Sequence, residues 1–295
     1  MKPNNRSILF ASLAVLFWST VPTAFKLGLR QYNPVQLIFV ASAVSVLILF
    51  FIILFQGKTK LIFKQSGKQL ASSILLGAFN PFIYYIVLFK AYSLLPAQLA
   101  QPLNMTWPIV IALLSVPMLG QKIGWQSFVA LGISFIGVII ISSQGGINGF
   151  QKTNFTGVLL ALASSVMWAL YWIFNVKDKR DETLKLFLNF IFGFLFLFFA
   201  IAIFSDFNFQ IGTALWAGVY IGFFEVGITY VLWLKAMQLS KNNAVIGSLV
   251  FMALFISLIF IYFILKEEIF ITTFIGIIFI VGGILFQQIK KRRQV

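Results

Sequence analysis

At 295 residues, 60% hydrophobic and 10% charged, with 36 Phe and a mean hydropathy of +0.98, the chain carries more apolar surface than a soluble fold can bury and is read as a polytopic membrane protein. The absence of Cys and His excludes thiol nucleophiles, imidazole bases, disulfides and the usual zinc, haem and iron–sulfur ligand sets, so no cofactor and no metal is expected. The net charge of +15 needs no nucleic-acid partner, because membrane topology and attraction to anionic headgroups account for it.

Apolar runs of about 20 residues, each able to cross roughly 30 Å of hydrocarbon as a helix, predict ten transmembrane helices. They lie at approximately 7–29, 34–55, 70–92, 96–118, 125–143, 155–175, 184–204, 213–236, 242–265 and 270–289. Met1 to Arg6 ahead of the first run resembles a signal peptide, but the run is too long and has no small-residue cleavage site, so it is read as the first span. That span carries Trp18, Ser19, Thr20, Thr23 and Lys26; the third carries Asn80 and Tyr84 one turn beyond it. In the fourth, Pro102, Pro108 and Pro117 each remove a helical hydrogen bond beside Gln101, Asn104, Thr106 and Trp107, which predicts a broken helix whose freed carbonyls need partners. The sixth brings Trp168, Tyr171, Trp172 and Asn175.

The eighth span holds Glu225 about 16 Å from either end, where a charge costs about 2.5–3.5 kcal/mol on insertion scales. Such an acid must be protonated, paired or facing water, and it marks a functional site or, on the plainer reading, a hydrogen-bonded packing group. Thr229 and Trp233 follow on the same helical face. The ninth span has no Pro; Asn242, Asn243 and Ser248 are its polar members. Lys26, Lys90 and Lys235 fall near span ends, where snorkelling explains them, although Lys26 could also meet a cargo carboxylate. Gly218 and Gly222 suit close helix packing, and the Lys290 to Arg293 run a cytoplasmic anchor.

The segment Gly77 to Leu94 reappears 145 positions later as Gly222 to Leu239, matching at Gly, Phe, Tyr, Lys, Ala and Leu, with Glu225 in register with Asn80. The chain therefore divides into a first five-helix repeat, 1–146, and a second, 151–293. Five is odd, so the second repeat enters the membrane from the opposite side: the expected fold is an all-α membrane protein of ten transmembrane helices in two inverted repeats. With the N-terminus inside, all but Lys26, Arg30, Lys90, Lys152 and Lys266 of the 22 basic residues face the cytoplasm, which puts both termini there.

These features resemble the EamA-type branch of the drug/metabolite transporter superfamily over essentially the whole chain. The matching residues are Trp18, Ser19 and Lys26 in the first span, and a Pro thirteen residues before a Gly-Glu at the end of the fourth span of each copy. Here Gln121 stands for the first Glu, while Leu254 and Lys266 replace the second Pro and Gly. The resemblance implies transport, with known members exporting amino acids and related metabolites and relatives carrying sugars, nucleotide sugars and drugs; it also implies that Trp18, Ser19, Thr20, Thr23, Trp168, Tyr171, Trp172 and Asn175 line the cavity.

The expected function is a secondary transporter, an exporter of small organic metabolites such as amino acids or their derivatives, working by alternating access through an aromatic cavity in a bacterial cytoplasmic membrane. The candidate substrate and coupling residues are Glu225, Asn80, Tyr84, Thr229, Trp18, Ser19, Thr23, Gln101, Asn104, Trp107, Trp168 and Tyr171. Proton coupling through Glu225 competes with facilitated diffusion, and export of sugars, nucleotide-type metabolites or cationic drugs is the alternative cargo. An enzyme is disfavoured because Asp178, Asp181 and Asp206 all fall in loops, and a channel or scaffold is the reading from a different class. Partners are a small-molecule substrate and the lipid bilayer; a homodimer is compatible with the sequence, which leaves the oligomeric state open.

Overall fold

The structure, a computed structural model, describes residues 3–120, 125–240, 246 and 249–289, and every regular element among them is helical. Lys2, Gln121, Lys122, Lys241, Asn242, Asn243, Ser248 and the Lys290 to Arg293 run lie outside the described residues. In chain order the helices are α1 (Pro3–Gly28), α2 (Pro34–Phe55), α3 (Thr59–Ile62), α4 (Gly67–Gly77), α5 (Tyr84–Leu94), α6 (Ala97–Asn104), α7 (Trp107–Leu119), α8 (Trp125–Ser142) and α9 (Ile147–Phe150). They continue with α10 (Phe155–Lys177), α11 (Glu182–Phe204), α12 (Thr213–Ile221), α13 (Ile228–Leu239), α14 (Met252–Phe260) and α15 (Ile271–Ile289). Wider π-helical turns at Ala78–Ile83 and Gly222–Gly227 join α4 to α5 and α12 to α13, and a third, Ile261–Leu265, extends α14.

Seven stretches among the described residues are long and apolar enough to cross a membrane, at the places of the first four and the sixth to eighth predicted spans. Shorter apolar helices, Phe128–Ser142, Met252–Leu265 and Ile271–Phe286, occupy the fifth, ninth and tenth. Large side chains such as Phe55, Ile211 and Phe204 stand exposed around the perimeter. On a water-soluble protein they would form an adhesive surface; against lipid tails they cost nothing.

Helix ends are set by local chemistry. Asn33 accepts from the Gln36 amide at 3.0 Å while the Gln36 side chain accepts from the Asn33 amide at 3.1 Å, and Ser66 and Gln69 repeat this reciprocal cap ahead of α4. Asn154 and Asp181 cap α10 and α11 through the Gly157 and Leu184 amides, at 3.0 and 3.1 Å. The fourth span breaks as its prolines require: α6 ends at Asn104, Met105 and Thr106 turn, and Pro108 is the second residue of α7. The chain turns again at 250–251, the same register 145 positions on, although no Pro is present there.

The packing exchanges when the two copies are exchanged. α1 lies against α12, α13 and α14, and α10 lies against α4, α5, α6 and α7; α2 packs on α12 and its π turn, and α11 on α4 and its π turn. α2 with α11 and α8 with α15 pair with their own counterparts. Backbone meets backbone at the crossing points: a Cβ on Gly222 would stand 2.6 Å from the Ala41 carbonyl oxygen, and one on Gly77 would strike the Asn189 carbonyl oxygen.

At one end of the bundle the Arg180 guanidinium grips Asp178 at 2.5 Å and reaches Gln65 at 2.9 Å and Ser73 at 2.8 Å, while Lys58 pairs with Asp181 at 2.7 Å. The buried Lys185 ammonium donates to the Asn175 and Asp178 carbonyls and to Glu182. Burial alone would raise the Asp178 carboxyl, but its hydrogen bonds and charge contact with Arg180 outweigh this and hold it below the ordinary value of 3.8. Asp181 is lowered in the same way by Lys58 and the Leu184 amide, against the opposing effect of burial.

Three outcomes follow for the purified protein in detergent. Gly222→Ala lowers stability by about 1–3 kcal/mol, since the Ala41 carbonyl must move; Gly132→Ala, with nothing near its would-be Cβ, is tolerated, and thermal unfolding separates the two. Lys266 adopts the left-handed backbone (φ 60°, ψ 30°) that Gly120 adopts in the first copy, so Lys266→Gly should stabilise by about 0.5–1 kcal/mol. Because the Asp178 and Asp181 carboxyls are lowered by folding, their stabilisation is complete above 3.8 and is lost as pH falls below it; a Tm against pH profile should drop there and flatten in Asp178→Asn.

Candidate functional site

A π turn carries one more residue per hydrogen-bonded ring than an α turn, which shifts the face its side chains occupy. In Gly222–Gly227 that turn aims Glu225 across the bundle, and three side chains bind the carbonyls around it. Thr229 Oγ donates to the Phe224 carbonyl at 2.6 Å, Ser45 of α2 to the Gly222 carbonyl at 3.1 Å, and the Trp18 indole of α1 to the Glu225 carbonyl at 3.0 Å. The carboxylate itself accepts from the Tyr85 hydroxyl at 3.0 Å. No salt bridge among the described residues includes Glu225. A cavity of about 10 Å3, lined by Ser42, Ser45, Tyr85, Phe190 and Glu225 among others, adjoins it. That volume is room for about one water molecule and far too little for an organic cargo.

From Glu225 a circuit of aromatic rings runs through four helices and returns. Trp18 meets Tyr230 edge-on at 6.3 Å, Tyr230 lies parallel to Trp172 at 6.4 Å, and Trp172 meets Trp168 at 6.0 Å. Trp168 packs on Tyr84 at 4.8 Å and Tyr84 on Tyr85 at 4.7 Å, whose hydroxyl is the one that binds Glu225. Trp233 joins at 5.2 Å from Trp18, and Tyr171 at 5.8 Å from Trp168.

The structure thus brings together Glu225, Trp18, Trp168, Tyr84 and Tyr171. Asn104 adjoins them, 3.4 Å from the Tyr84 hydroxyl and donating to Ser164 at 2.8 Å, while Thr106 donates to Ser165 at 3.1 Å; the break in the fourth span is fastened to α10. Asn80 is buried at the first π turn. Other candidates are engaged elsewhere. Thr229 gives its hydroxyl proton to the Phe224 carbonyl of its own helix. Ser19 bonds the Leu16 carbonyl one turn back, and Gln101 accepts from Ser257 of α14 at 2.5 Å. Thr23 is buried with no hydrogen-bond partner among the described residues, and Trp107 opens α7 outside the aromatic circuit. The Lys26 ammonium donates to the Tyr92 and Leu95 carbonyls at 2.9 and 3.0 Å, closing the C-terminal end of α5. The Glu267 carboxylate closes the next helix, accepting from the Ala97 amide at 3.0 Å.

Tyr85 and Tyr230 escaped the sequence reading. Their signal was the identical Tyr at the same register of the two copies, which was used there to align the repeat and not to identify a site.

A family model described as the EamA-like transporter family matches residues 5–143 and 155–287. An "uncharacterized transporter" of Clostridium kluyveri is 24% identical over 98% of this chain and 94% of its own length. One from Archaeoglobus fulgidus is 27% identical over 56% of this chain, an alignment spanning 55% of that relative. A solved crystal structure superimposes with a TM-score of 0.69 at 20% identity, covering 97% of this chain and 98% of the other, which bears on the fold alone.

Tyr85→Phe removes the one hydroxyl seen on the Glu225 carboxyl and should cost about 1–3 kcal/mol. Tyr84→Phe, which loses only a 3.4 Å contact with Asn104, should cost less; thermal unfolding of the two variants side by side checks the order.

Proposed function

The chain belongs to the EamA-like transporter family, a family of multi-pass membrane proteins, and from that premise we propose that it is a secondary carrier that exports small organic metabolites, amino acids or their derivatives, from a bacterial cytoplasm. In this reading ten helices form two inverted five-helix halves with both termini in the cytoplasm, and rocking of the halves exposes the aromatic circuit to each side in turn. The exchange of packing partners between the copies supports it. The rings offer apolar faces to a cargo side chain, and Asn104, Tyr84 and Glu225 offer the few directed polar groups that fix its orientation.

One observation carries the mechanism. Glu225 is an acid deep in an apolar bundle, held by a neutral hydroxyl with no cation against it among the described residues, and it sits beside a water-sized cavity. An acid so placed can take a proton on one side and release it on the other as the carrier turns, which couples export to the proton gradient. The competing reading is facilitated diffusion with Glu225 as a structural tie. The Trp18 and Tyr85 bonds that knit its residue to α1 and α5 favour that alternative.

Counterflow of a labelled amino-acid pool into proteoliposomes, with and without a pH gradient, separates the two. Saturable wild-type exchange that responds to the gradient, and a Glu225→Gln protein that exchanges without that response, are expected for the coupled carrier. Wild-type exchange indifferent to both the gradient and the substitution makes Glu225 a structural tie, and no exchange of any amino acid refutes the cargo assignment.

A further inference from the structure

Asn80 holds in the first copy the place that Glu225 holds in the second, and carboxamide and hydroxyl groups gather beside it, with the buried Lys185 ammonium on the Asn175 carbonyl beyond them. The backbone leaves the helical region at Asn80 (φ −143°, ψ 118°), turning its side chain inward, where it is 1% exposed. The Tyr171 hydroxyl of α10 lies at the centre of this region. Asn189 of α11, itself fully buried, donates its amide to that hydroxyl at 3.5 Å, and Asn175 and Asn80 lie beside it. The side-chain carbonyl oxygens of Asn80 and Asn189 both lack a hydrogen-bond partner among the described residues.

The donors and acceptors do not balance. A phenol has one proton to give, so Tyr171 can satisfy at most one of the carboxamide oxygens around it. What remains is buried carboxamide oxygen without a protein donor among the described residues, at a point where a spanning helix is interrupted. Neutral carboxamide and hydroxyl oxygens at a helix break suit a small monovalent cation. Without a carboxylate in the set they suit a divalent ion poorly.

We propose that Asn80, Asn189 and Tyr171 form a site for a monovalent cation of the Na+ class, where the first copy's π turn meets α10 and α11 of the second. The site's existence does not depend on the carrier reading; its use to drive transport does. Occupancy would be felt by the aromatic circuit, because Tyr171 packs against Trp168 at 5.8 Å and against Trp172 at 6.4 Å.

The test reads binding without transport, so its failure is distinct from failure of the carrier assignment. The purified full-length protein is titrated with NaCl against choline chloride at constant ionic strength, following Tm and tryptophan emission, with LiCl and KCl as a size series. The expected result is a saturable, Na+-specific rise in Tm with a change in emission, at least tenfold weaker in apparent affinity in Asn189→Ala and in Tyr171→Phe, and retained in Glu225→Gln. Asn80→Ala should behave like Asn189→Ala; if it does not fold, the other two variants decide. A wild-type Tm that follows ionic strength alone overturns the proposal. So does a Na+ effect undiminished in Asn189→Ala and Tyr171→Phe, or one lost only in Glu225→Gln, which would place the ion at the acid.

Discussion

Hydrocarbon offers no hydrogen bonds, so every backbone group exposed by an irregular turn within the bundle must find its partner in the protein. That constraint explains the placement of most polar side chains here. Among the described residues the helices depart from α geometry at three π turns and at the break between α6 and α7, and polar atoms gather at the departures. Thr229, Ser45 and Trp18 attend the carbonyls of one π turn, Lys26 closes the end of α5, and Glu267 reaches from beyond α14 to the first amides of α6. The Ser45, Trp18 and Glu267 bonds run between the copies, so those irregularities are also places where one copy of the repeat is fastened to the other.

The architecture was legible because its signals are redundant. Runs of about 20 apolar residues and a repeat at 145 positions both point to an all-helical membrane fold, and seven of the runs are long apolar helices among the described residues. The break at Pro102 to Pro108 was legible too, since a missing amide proton has a local effect. The matching turn at 250–251 was not, because it arises without proline and depends on what α14 packs against. The π turn at Gly222–Gly227 shows the sharper limit, because a periodicity argument assumes 3.6 residues per turn throughout. Helical periodicity cannot announce its own interruption. Of the site, the acid and several rings could be read from residue type and depth. Tyr85 could not, because one more buried aromatic among so many carries no information until its hydroxyl has an address.

The two halves share a scaffold and differ in chemistry. At equivalent π turns one presents a carboxylate to a tyrosine, and the other presents a carboxamide among further carboxamides. A closed circuit of rings links the two regions, with α10 contributing Trp168, Tyr171 and Trp172 and α13 contributing Tyr230. Aromatic contacts of this kind are individually weak and tolerant of small rotations, whereas the hydrogen bonds at either end are directional.

The seam at Gly77 and Gly222 has a consequence for how such a chain can change over generations. Where helices touch through side chains, a substitution on one face demands a compensating one opposite. Here the touching atoms are main-chain carbonyls and the bare α-carbons of two glycines, which every sequence supplies in the same form provided those two positions stay empty. The outward residues around them are then free to drift, and a fold can persist through sequences that have little left in common.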